Sequence, residues 1–274
     1  MALLPLIILA LIQGLTEFLP VSSSGHLVLV HGFLGGAEDW DQRVILDVAV
    51  HVGTLFSVLL YFRKDVIEML LGFLKWFKGD FKSEGGKLAL YIVTASIPVI
   101  IAGLVLHILK PSWLDLVEVM AWATIIFGIV LWWADRQPVR LSSLEALNFK
   151  HALLIGLAQV LALIPGTSRS GITMTAARFL GYSRDQAAHF SLLLAIVAIS
   201  GAGTLAGKEL VESGDVNLGM DVLIALVISF ISGWLSIAVM MKWLERSSFT
   251  VFALYRVVLG VLLLAGIYSG VLAL

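Results

Sequence analysis

The predicted fold depends on one stretch, Gln13-Gly-Leu-Thr-Glu17-Phe-Leu-Pro20-Val-Ser22-Ser23-Ser24-Gly25-His26. It lies in an apolar N-terminal region, yet it carries an acid, a histidine, a proline and three consecutive serines. Gln13 and Glu17 share one face of a helix, because they are four residues apart, and Pro20 ends that helix. Polar side chains beside broken backbone are tolerated at membrane depth only when protein buries them or when they line a wet cavity. We therefore predict a functional site on a re-entrant loop.

The composition is that of a membrane protein. The 274 residues are 59% hydrophobic and 14% charged, with a mean hydropathy of +1.00, whereas soluble domains carry about 25% charged residues. Segments of roughly 17–25 apolar residues can span a bilayer. We predict an all-α polytopic membrane protein that forms a single integral domain over residues 1–274, with about six transmembrane helices and two re-entrant helix–loop–helix elements. The predicted spans are 43–62, 88–109, 118–134, 187–206, 220–241 and 250–272, and the re-entrant elements are 2–30 and 151–178.

Charge and cysteine content exclude several classes of function. The net charge is −1 and no long basic block occurs, so nucleic acid is not an expected partner. The chain has no cysteine, which excludes disulfides, thiolate metal sites and cysteine nucleophiles. The first twelve residues lack a basic region and a cleavage site, so no signal peptide is predicted.

The loops predict the orientation in the membrane. Lysines and arginines are concentrated in 63–87, 135–150 and 242–249, whereas 207–221 has one lysine against four acids. Basic loops stay in the cytoplasm. Residues 110–117, 207–219 and the C-terminus are then expected on the outer side.

A weak internal repeat indicates two inverted halves, approximately 1–134 and 150–274. Gln13…Ser24-Gly25 matches Gln159…Ser170-Gly171 with the same twelve-residue separation. Each half contains one re-entrant element and three spans, so an odd number of crossings inverts the second half. Paired interrupted segments of this kind indicate a binding site near the midplane.

A second repeated pattern and two further features remain open. For Asp47, His51, Asp185 and His189, capping and hydrogen bonds between helices are favoured over a role in the site. Arg256 is expected to pair with an acid inside the bundle. Gly201 and Gly203 allow close helix contacts, which leaves a homodimer open.

The second re-entrant segment, Pro165-Gly166-Thr167-Ser168-Arg169-Ser170-Gly171, is suited to phosphate. A glycine-rich turn before a helix presents backbone N–H groups and the positive end of the helix. Arg169 adds a planar fork of donors, and the neighbouring hydroxyls add more. The alternative is a helix break whose arginine extends to the membrane surface.

The first re-entrant segment could supply the chemistry. Gln13 and Glu17 could hold a divalent cation, or Glu17 could pair with Arg169 for structure alone. The three serines are helix caps, hydroxyl ligands or a source of the nucleophile, with His26 or Glu17 as the proton acceptor. His26 could also activate water, attack phosphorus itself or be an interior residue with satisfied hydrogen bonds.

The two motifs together resemble those of the bacterial undecaprenyl-pyrophosphate phosphatase family of the bacitracin-resistance type. The first family motif, E/Q-x-x-x-E followed by F-L-P-V-S-S-x-G-H, is similar to Gln13 to His26. The second, P-G-x-S-R-S-G, is similar to Pro165 to Gly171, and the family's Tyr-Arg appears as Tyr255-Arg256. The resemblance covers essentially the whole chain.

The resemblance implies an inner-membrane enzyme of cell-wall synthesis that removes the terminal phosphate of undecaprenyl pyrophosphate. It also implies a divalent cation, Mg²⁺ or Ca²⁺, and an active site that faces outward. By position, Gln13 and Glu17 would be the metal and acid–base pair, and Ser22, Ser23, Ser24 and His26 would line the reacting phosphate. Ser168, Arg169 and Ser170 would hold the pyrophosphate, beside Gly166 and Thr167 of the same turn.

Two questions follow from the motifs. Gln13 stands where many family members have glutamate, so more of the cation binding would depend on Glu17. Ser23 is slightly favoured over His26 as the group that attacks phosphorus. The alternative function is a transporter or flippase for a phosphorylated lipid or anion, because inverted repeats with interrupted helices occur in many transporters.

Overall fold

Helices form almost all of the regular structure. The computed structural model describes residues 3–34, 40–77, 79–80, 83–213 and 216–270, with the side chains of all of these except 32–34, 40–43, 115, 201–213 and 216–218. These residues form α1 (Leu3–Thr16), α2 (Ser23–Leu34), α3 (Trp40–Tyr61), α4 (Arg63–Trp76), α5 (Glu84–Leu109), α6 (Val117–Asp135), α7 (Phe149–Gln159), α8 (Arg169–Phe179), α9 (Arg184–Ser213), α10 (Val216–Leu244) and α11 (Thr250–Tyr268). The predicted all-α fold class is confirmed.

Five helices are long and apolar enough to cross a membrane in the described part of the chain. They are α3, α5, α6, α10 and α11, and each coincides with a predicted span. The remaining predicted span, 187–206, lies in α9, whose side chains from residue 201 onward are outside the described residues. The surroundings of Gly201 and Gly203 are likewise outside the described residues, as is the predicted end of the last span at residue 272.

The two predicted re-entrant elements are helix–loop–helix units. The first comprises α1 and α2. The second comprises α7 and α8, with a 3-10 turn at Val160–Leu163 directly after α7. A helix rises about 1.5 Å per residue, so neither the 14 residues of α1 nor the 11 of α7 can cross a core of about 30 Å. Each unit therefore enters the bundle and turns back.

One helix, α4, occurs in a segment that is predicted only as a cytoplasmic loop. α4 lies within 63–87 and exposes apolar side chains such as Ile67, Leu70 and Leu74. Its other face packs closely on α5, because an added Cβ at Gly72 would lie 2.1 Å from the backbone nitrogen of Gly86. The basic residues at its ends dominated the sequence signal, although its apolar face is typical of a helix lying at a membrane surface.

The helices that carry the predicted site pack on two groups of neighbours. α3 packs on α1, α9 and α10, and α6 packs on α8 and α11. The largest buried cluster connects α3, α5, α7, α8, α9 and α10 and includes Phe18, which directly follows Glu17. This packing fixes the loops that follow α1 and α7.

Close contact between α3 and α10 depends on Gly53. A Cβ at this position would lie 2.0 Å from Ser229 Oγ and 2.4 Å from the Leu226 carbonyl oxygen, and that backbone cannot move aside. We expect Gly53→Ala to lower the free energy of unfolding by about 1–3 kcal/mol, as overpacking does. Thermal unfolding in detergent measures this loss. Gly219→Ala is the control, since nothing lies within 4 Å of its added Cβ; equal midpoints for both variants would contradict this packing.

Candidate active site

The loops of the two re-entrant units contact each other directly. Arg169 Nη2 donates to Glu17 Oε1 at 3.0 Å. Ser170 Oγ donates to the carbonyl oxygen of Leu19 at 3.0 Å. Residues separated by about half of the chain are thereby joined into one polar cluster.

In both re-entrant units, the last residue before the second helix is a serine with a strained backbone conformation. Ser22 has φ 76° directly before α2, and Ser168 has φ 69° directly before α8. Few residues other than glycine adopt positive φ, and such strain persists only where the surrounding structure holds it. The serine pairs also match, because Ser22 Oγ lies 3.3 Å from Ser24 Oγ and Ser168 Oγ lies 3.2 Å from Ser170 Oγ.

The two helices that start at these serines can bind an anion with their N-terminal ends. The first turn of a helix leaves backbone N–H groups without helical partners. In α8, Ser168 Oγ accepts from the Gly171 N–H at 3.1 Å, which caps one of these groups. The remaining N–H groups and the positive helix end favour negative charge at this point.

Glu17 is the centre of the polar cluster. It is 8% exposed. Its Oε2 accepts from Ser23 Oγ at 2.6 Å and from Gln13 Nε2 at 3.0 Å, while Oε1 accepts from Arg169. The carboxylate therefore holds a serine hydroxyl on one oxygen and a fixed positive charge on the other.

A cavity of about 390 Å³ opens beside this carboxylate. Of the residues predicted to form the site, it is lined by Glu17, Ser22, Ser23, Ser24, Ser168 and Arg169. Its apolar wall comes from α3 and α9 and from the 3-10 turn, through residues such as Val48, Ile199 and Ala162. A polar head group and the start of an apolar chain can therefore be accommodated side by side.

Two lining residues on α3 were not expected in the site. Asp47 and His51 both face the cavity. Asp47 Oδ1 accepts from His31 Nε2 at 2.9 Å, which is the predicted type of bond between helices. His51 donates from Nδ1 to the Asp47 carbonyl oxygen, so its Nε2 points towards Glu17 Oε2 at 3.7 Å. Their repeated Asp-x-x-x-His spacing was the signal in the sequence, but it does not distinguish a bond between helices from a cavity wall.

His26 does not line the cavity. Its Nδ1 donates to the Ser22 carbonyl oxygen at 2.7 Å, so Nε2 accepts from the Tyr255 hydroxyl at 2.6 Å. The two rings are also stacked, with centroids 5.7 Å apart and planes 7° apart. Tyr255 on α11 thus fixes the imidazole through both a hydrogen bond and a ring contact.

The other predicted site residues lie behind the cavity wall. Gln13 is fully buried and touches the site through its bond to Glu17. Gly166 and Thr167 are buried in the second loop, and Ser170 is buried in the first turn of α8, where it contacts the first loop. They shape the loop, and Ser168 and Arg169 present its donors to the cavity.

This arrangement can activate a serine towards phosphorus. A nucleophilic hydroxyl needs a base within about 2.6–3.2 Å. Ser23 has such a base in Glu17, and Arg169 lines the same cavity and can donate hydrogen bonds to phosphoryl oxygens. The same cavity offers no comparable position for the imidazole of His26.

Comparison with known proteins agrees with these motifs. The model of the family described as bacitracin resistance protein BacA matches residues 6–262. The chain belongs to the BacA family. Among its relatives, the undecaprenyl-diphosphatase of Roseobacter denitrificans is 46% identical over 273 residues, covering 98% of this chain and all of that protein. The undecaprenyl-diphosphatase of Ruegeria pomeroyi is 44% identical over 270 residues, with 98% of this chain and 100% of the relative covered.

The BacA match spans both re-entrant units and α11. Its limits, 6–262, enclose every cavity-lining residue as well as Tyr255. The relatives carry the name of a hydrolase, so the comparisons favour the phosphatase expectation over the transporter alternative. The multi-pass membrane character follows from the family match and from the five apolar helices.

The His26–Tyr255 contact gives a prediction for this BacA-family site. We expect Tyr255→Phe to lower kcat about tenfold: the ring stack remains, but His26, which holds the carbonyl oxygen of Ser22 next to Ser23, loses the donor at its Nε2 and positions this turn less firmly. Phosphate release by the purified protein measures the change. Tyr182→Phe is the matched control, since Tyr182 makes the same kind of bond, 2.8 Å to His151 Nδ1, in another part of the fold. A Tyr255→Phe enzyme with unchanged kcat would show that the hydroxyl does not position His26 for the reaction.

Proposed function

We propose that this chain hydrolyses undecaprenyl pyrophosphate to undecaprenyl phosphate and inorganic phosphate, which returns the lipid carrier to cell-wall synthesis. The observation that carries the proposal is the 2.6 Å hydrogen bond from Ser23 Oγ to Glu17 beside Arg169, in a cavity with an apolar wall. The names of the relatives give the substrate. The isoprenoid tail lies along apolar helices while the pyrophosphate enters the polar cavity.

Ser23 is the proposed nucleophile. Its Oγ forms a bond to the terminal phosphorus as its proton passes to Glu17 Oε2, and the bond from that phosphorus to the bridging oxygen breaks. Undecaprenyl phosphate leaves with the bridging oxygen. Glu17 gives the proton to the departing undecaprenyl phosphate and is a carboxylate again. Water then attacks the phosphoserine as its proton passes to Glu17, the bond from phosphorus to Ser23 Oγ breaks, and Glu17 returns the proton to Ser23 Oγ as inorganic phosphate leaves.

The transition state carries negative charge on the phosphoryl oxygens. Arg169, held at 3.0 Å from Glu17, offers its remaining N–H donors to these oxygens. The N–H groups of the first turn of α8 add donors that are oriented before the substrate arrives. Serines 22, 24 and 168 complete the lining.

We propose that a divalent cation, Mg²⁺ or Ca²⁺, would bind in the same cavity together with the substrate. Among the described residues no group of three or more histidines or carboxylates could hold a metal ion. Mg²⁺ is commonly bound by one or two carboxylates and by substrate phosphates. Glu17 and Asp47 both line the cavity and supply such oxygens, whereas Gln13 acts on the site through its bond to Glu17. The bound cation would neutralise charge on the pyrophosphate.

The proposed location is the bacterial inner membrane, with the active site open to the outer side. The basic segments 63–87, 135–150 and 242–249 support this orientation, since lysine and arginine remain in cytoplasmic loops. The inverted arrangement of the halves 1–134 and 150–274 and a homodimer stay predictions.

The nucleophile and base are tested by single substitutions. We expect Ser23→Ala and Glu17→Gln each to lower kcat by at least about 10³-fold, because either change removes the activated hydroxyl. Arg169→Ala should lower kcat by about 10²–10³-fold through lost charge stabilisation. Phosphate release from a polyprenyl pyrophosphate in detergent, with Mg²⁺ or Ca²⁺ and then with chelator, is the measurement.

Ser236→Ala is the matched control for the serine change. Ser236 on α10 is buried and, like Ser23, donates one hydrogen bond, in this case to the backbone carbonyl oxygen of Leu15 at 2.9 Å. The Ser236→Ala protein should retain the kcat of the unchanged protein. Full turnover by a folded Ser23→Ala protein would instead favour direct attack by water.

Gln13 gives a separate prediction about the cation. Gln13→Glu places a second carboxylate against Glu17 Oε2, so we expect half-maximal activity at a lower concentration of divalent cation. A titration of phosphate release with Mg²⁺ measures this shift. Gln159→Glu is the control, because Gln159 is equally buried but donates to the Ala95 carbonyl oxygen at 3.1 Å. An unchanged Mg²⁺ titration for Gln13→Glu would place the cation away from Glu17.

A further inference from the structure

Arg256 on α11 is a fully buried arginine, with 0% of its surface exposed. Its place in an apolar segment predicted a pairing with an acid, and this prediction is wrong for the described residues. Within the described residues its guanidinium instead bonds to backbone carbonyl oxygens, and no carboxylate contributes to its environment. A buried charge of this kind is costly and calls for a physical reason.

The carbonyl groups come from both re-entrant loops and from α6. Nη2 donates to Gly166 at 2.9 Å and to Thr167 at 2.8 Å in the second loop. Nη1 donates to Pro20 at 3.5 Å in the first loop. Nε donates to Thr124 at 3.2 Å in α6. One planar group thus spans the two loops whose following helices begin at the cavity.

The fold leaves room for this guanidinium at two glycines. An added Cβ at Gly171 would lie 2.8 Å from Arg256 Nη1, and one at Gly128 would lie 3.0 Å from Arg256 Cβ. Gly171 is in the first turn of α8 and Gly128 is in α6. A side chain at either position would displace the arginine, so the niche is part of the packing.

The bonds fix the backbone at the point of strain. In a trans peptide the carbonyl and the following N–H point in opposite directions. The Thr167 carbonyl faces Arg256, so the N–H of Ser168 points away from it. Ser168 is the strained residue at φ 69°, and it lines the cavity. The Pro20 carbonyl is bound close to the matching strained residue of the first loop, Ser22.

We propose that Arg256 is a positioning residue for phosphoryl transfer, whose planar fork holds both re-entrant loops in the conformation that brings Ser23 and Glu17 to Arg169. The inference rests on the proposed catalytic site. Arg256 acts through the loop backbone and does not line the cavity. Its geometry, more than its charge, carries the role, because three of its nitrogens reach three different segments.

The test is Arg256→Lys, which keeps the charge but replaces a planar fork by a single point donor. We expect kcat to fall about 10²-fold, as small displacements of reacting groups produce, while KM changes by less than about threefold. In Arg256→Gln, kcat should fall by at least the same factor. Both are measured by phosphate release in detergent, beside thermal unfolding.

Arg178→Lys is the matched control. Arg178 is also buried, at 1% exposed, and donates to the carbonyl oxygens of Asp135, Gln137 and Tyr182, away from the loop tips. The Arg178→Lys change should lower the unfolding temperature and leave kcat near that of the unchanged protein. An equal loss of kcat in both variants would attribute the effect to the general cost of a buried arginine and overturn the proposal.

A second pair of variants leaves Arg256 itself in place. Gly128→Ala pushes on Arg256, whereas Gly260→Ala crowds Ile125 in the same contact between α6 and α11, with a Cβ 2.4 Å from Ile125 Cγ1. We expect a loss of kcat in Gly128→Ala that exceeds the loss in Gly260→Ala. The unchanged protein and Glu17→Gln are assayed in parallel. Suppose that the unchanged protein is active, that Glu17→Gln is inactive and that Arg256→Lys retains half or more of kcat. The positioning role of Arg256 is then wrong, and the proposed function stands.

Discussion

The contact between Glu17 and Arg169 is the constraint on which this fold depends. The two groups lie 3.0 Å apart and are mostly buried. Neither charge would be tolerated alone in an apolar bundle, since an unpaired buried charge costs several kcal/mol. The two re-entrant units must therefore meet, and the helices around them are arranged to bring the loop after α1 against the loop after α7.

The meeting point combines several unfavourable features that become useful together. Two serines have positive φ, two short helices begin inside the protein, and a buried carboxylate holds a serine hydroxyl. Strain and unpaired N–H groups cost free energy in an ordinary core. At an anion site the same groups are donors that need no reorganisation when the substrate arrives. The apolar wall of the cavity then suits a lipid whose head group alone is charged.

Among the described residues, Arg169, Arg178 and Arg256 illustrate different ways to hold an arginine inside the bundle. Arg169 keeps 17% of its side chain exposed and pairs with Glu17, so it remains able to contact a ligand. Arg178 lies against Asp135 and the carbonyls around it and stabilises the turn after α8. Arg256 bonds only to carbonyls among the described residues and connects three segments. Exposure and partner type distinguish the arginine that can bind substrate from those that hold backbone.

The sequence by itself determined the membrane fold class, the positions of the long helices, the two interrupted units and the motif residues of the cluster. Apolar length and the breaks at Pro20 and Pro165 depend on local chemistry, which is visible in one dimension. Local chemistry did not reveal α4, because its basic ends outweighed its apolar face. Only the tertiary structure decided that Gln13 bonds to Glu17, that Tyr255 holds His26 outside the cavity, and that Asp47 and His51 line it. These outcomes depend on which helix faces which, and a residue's neighbours across the bundle are set by packing between segments far apart in the chain.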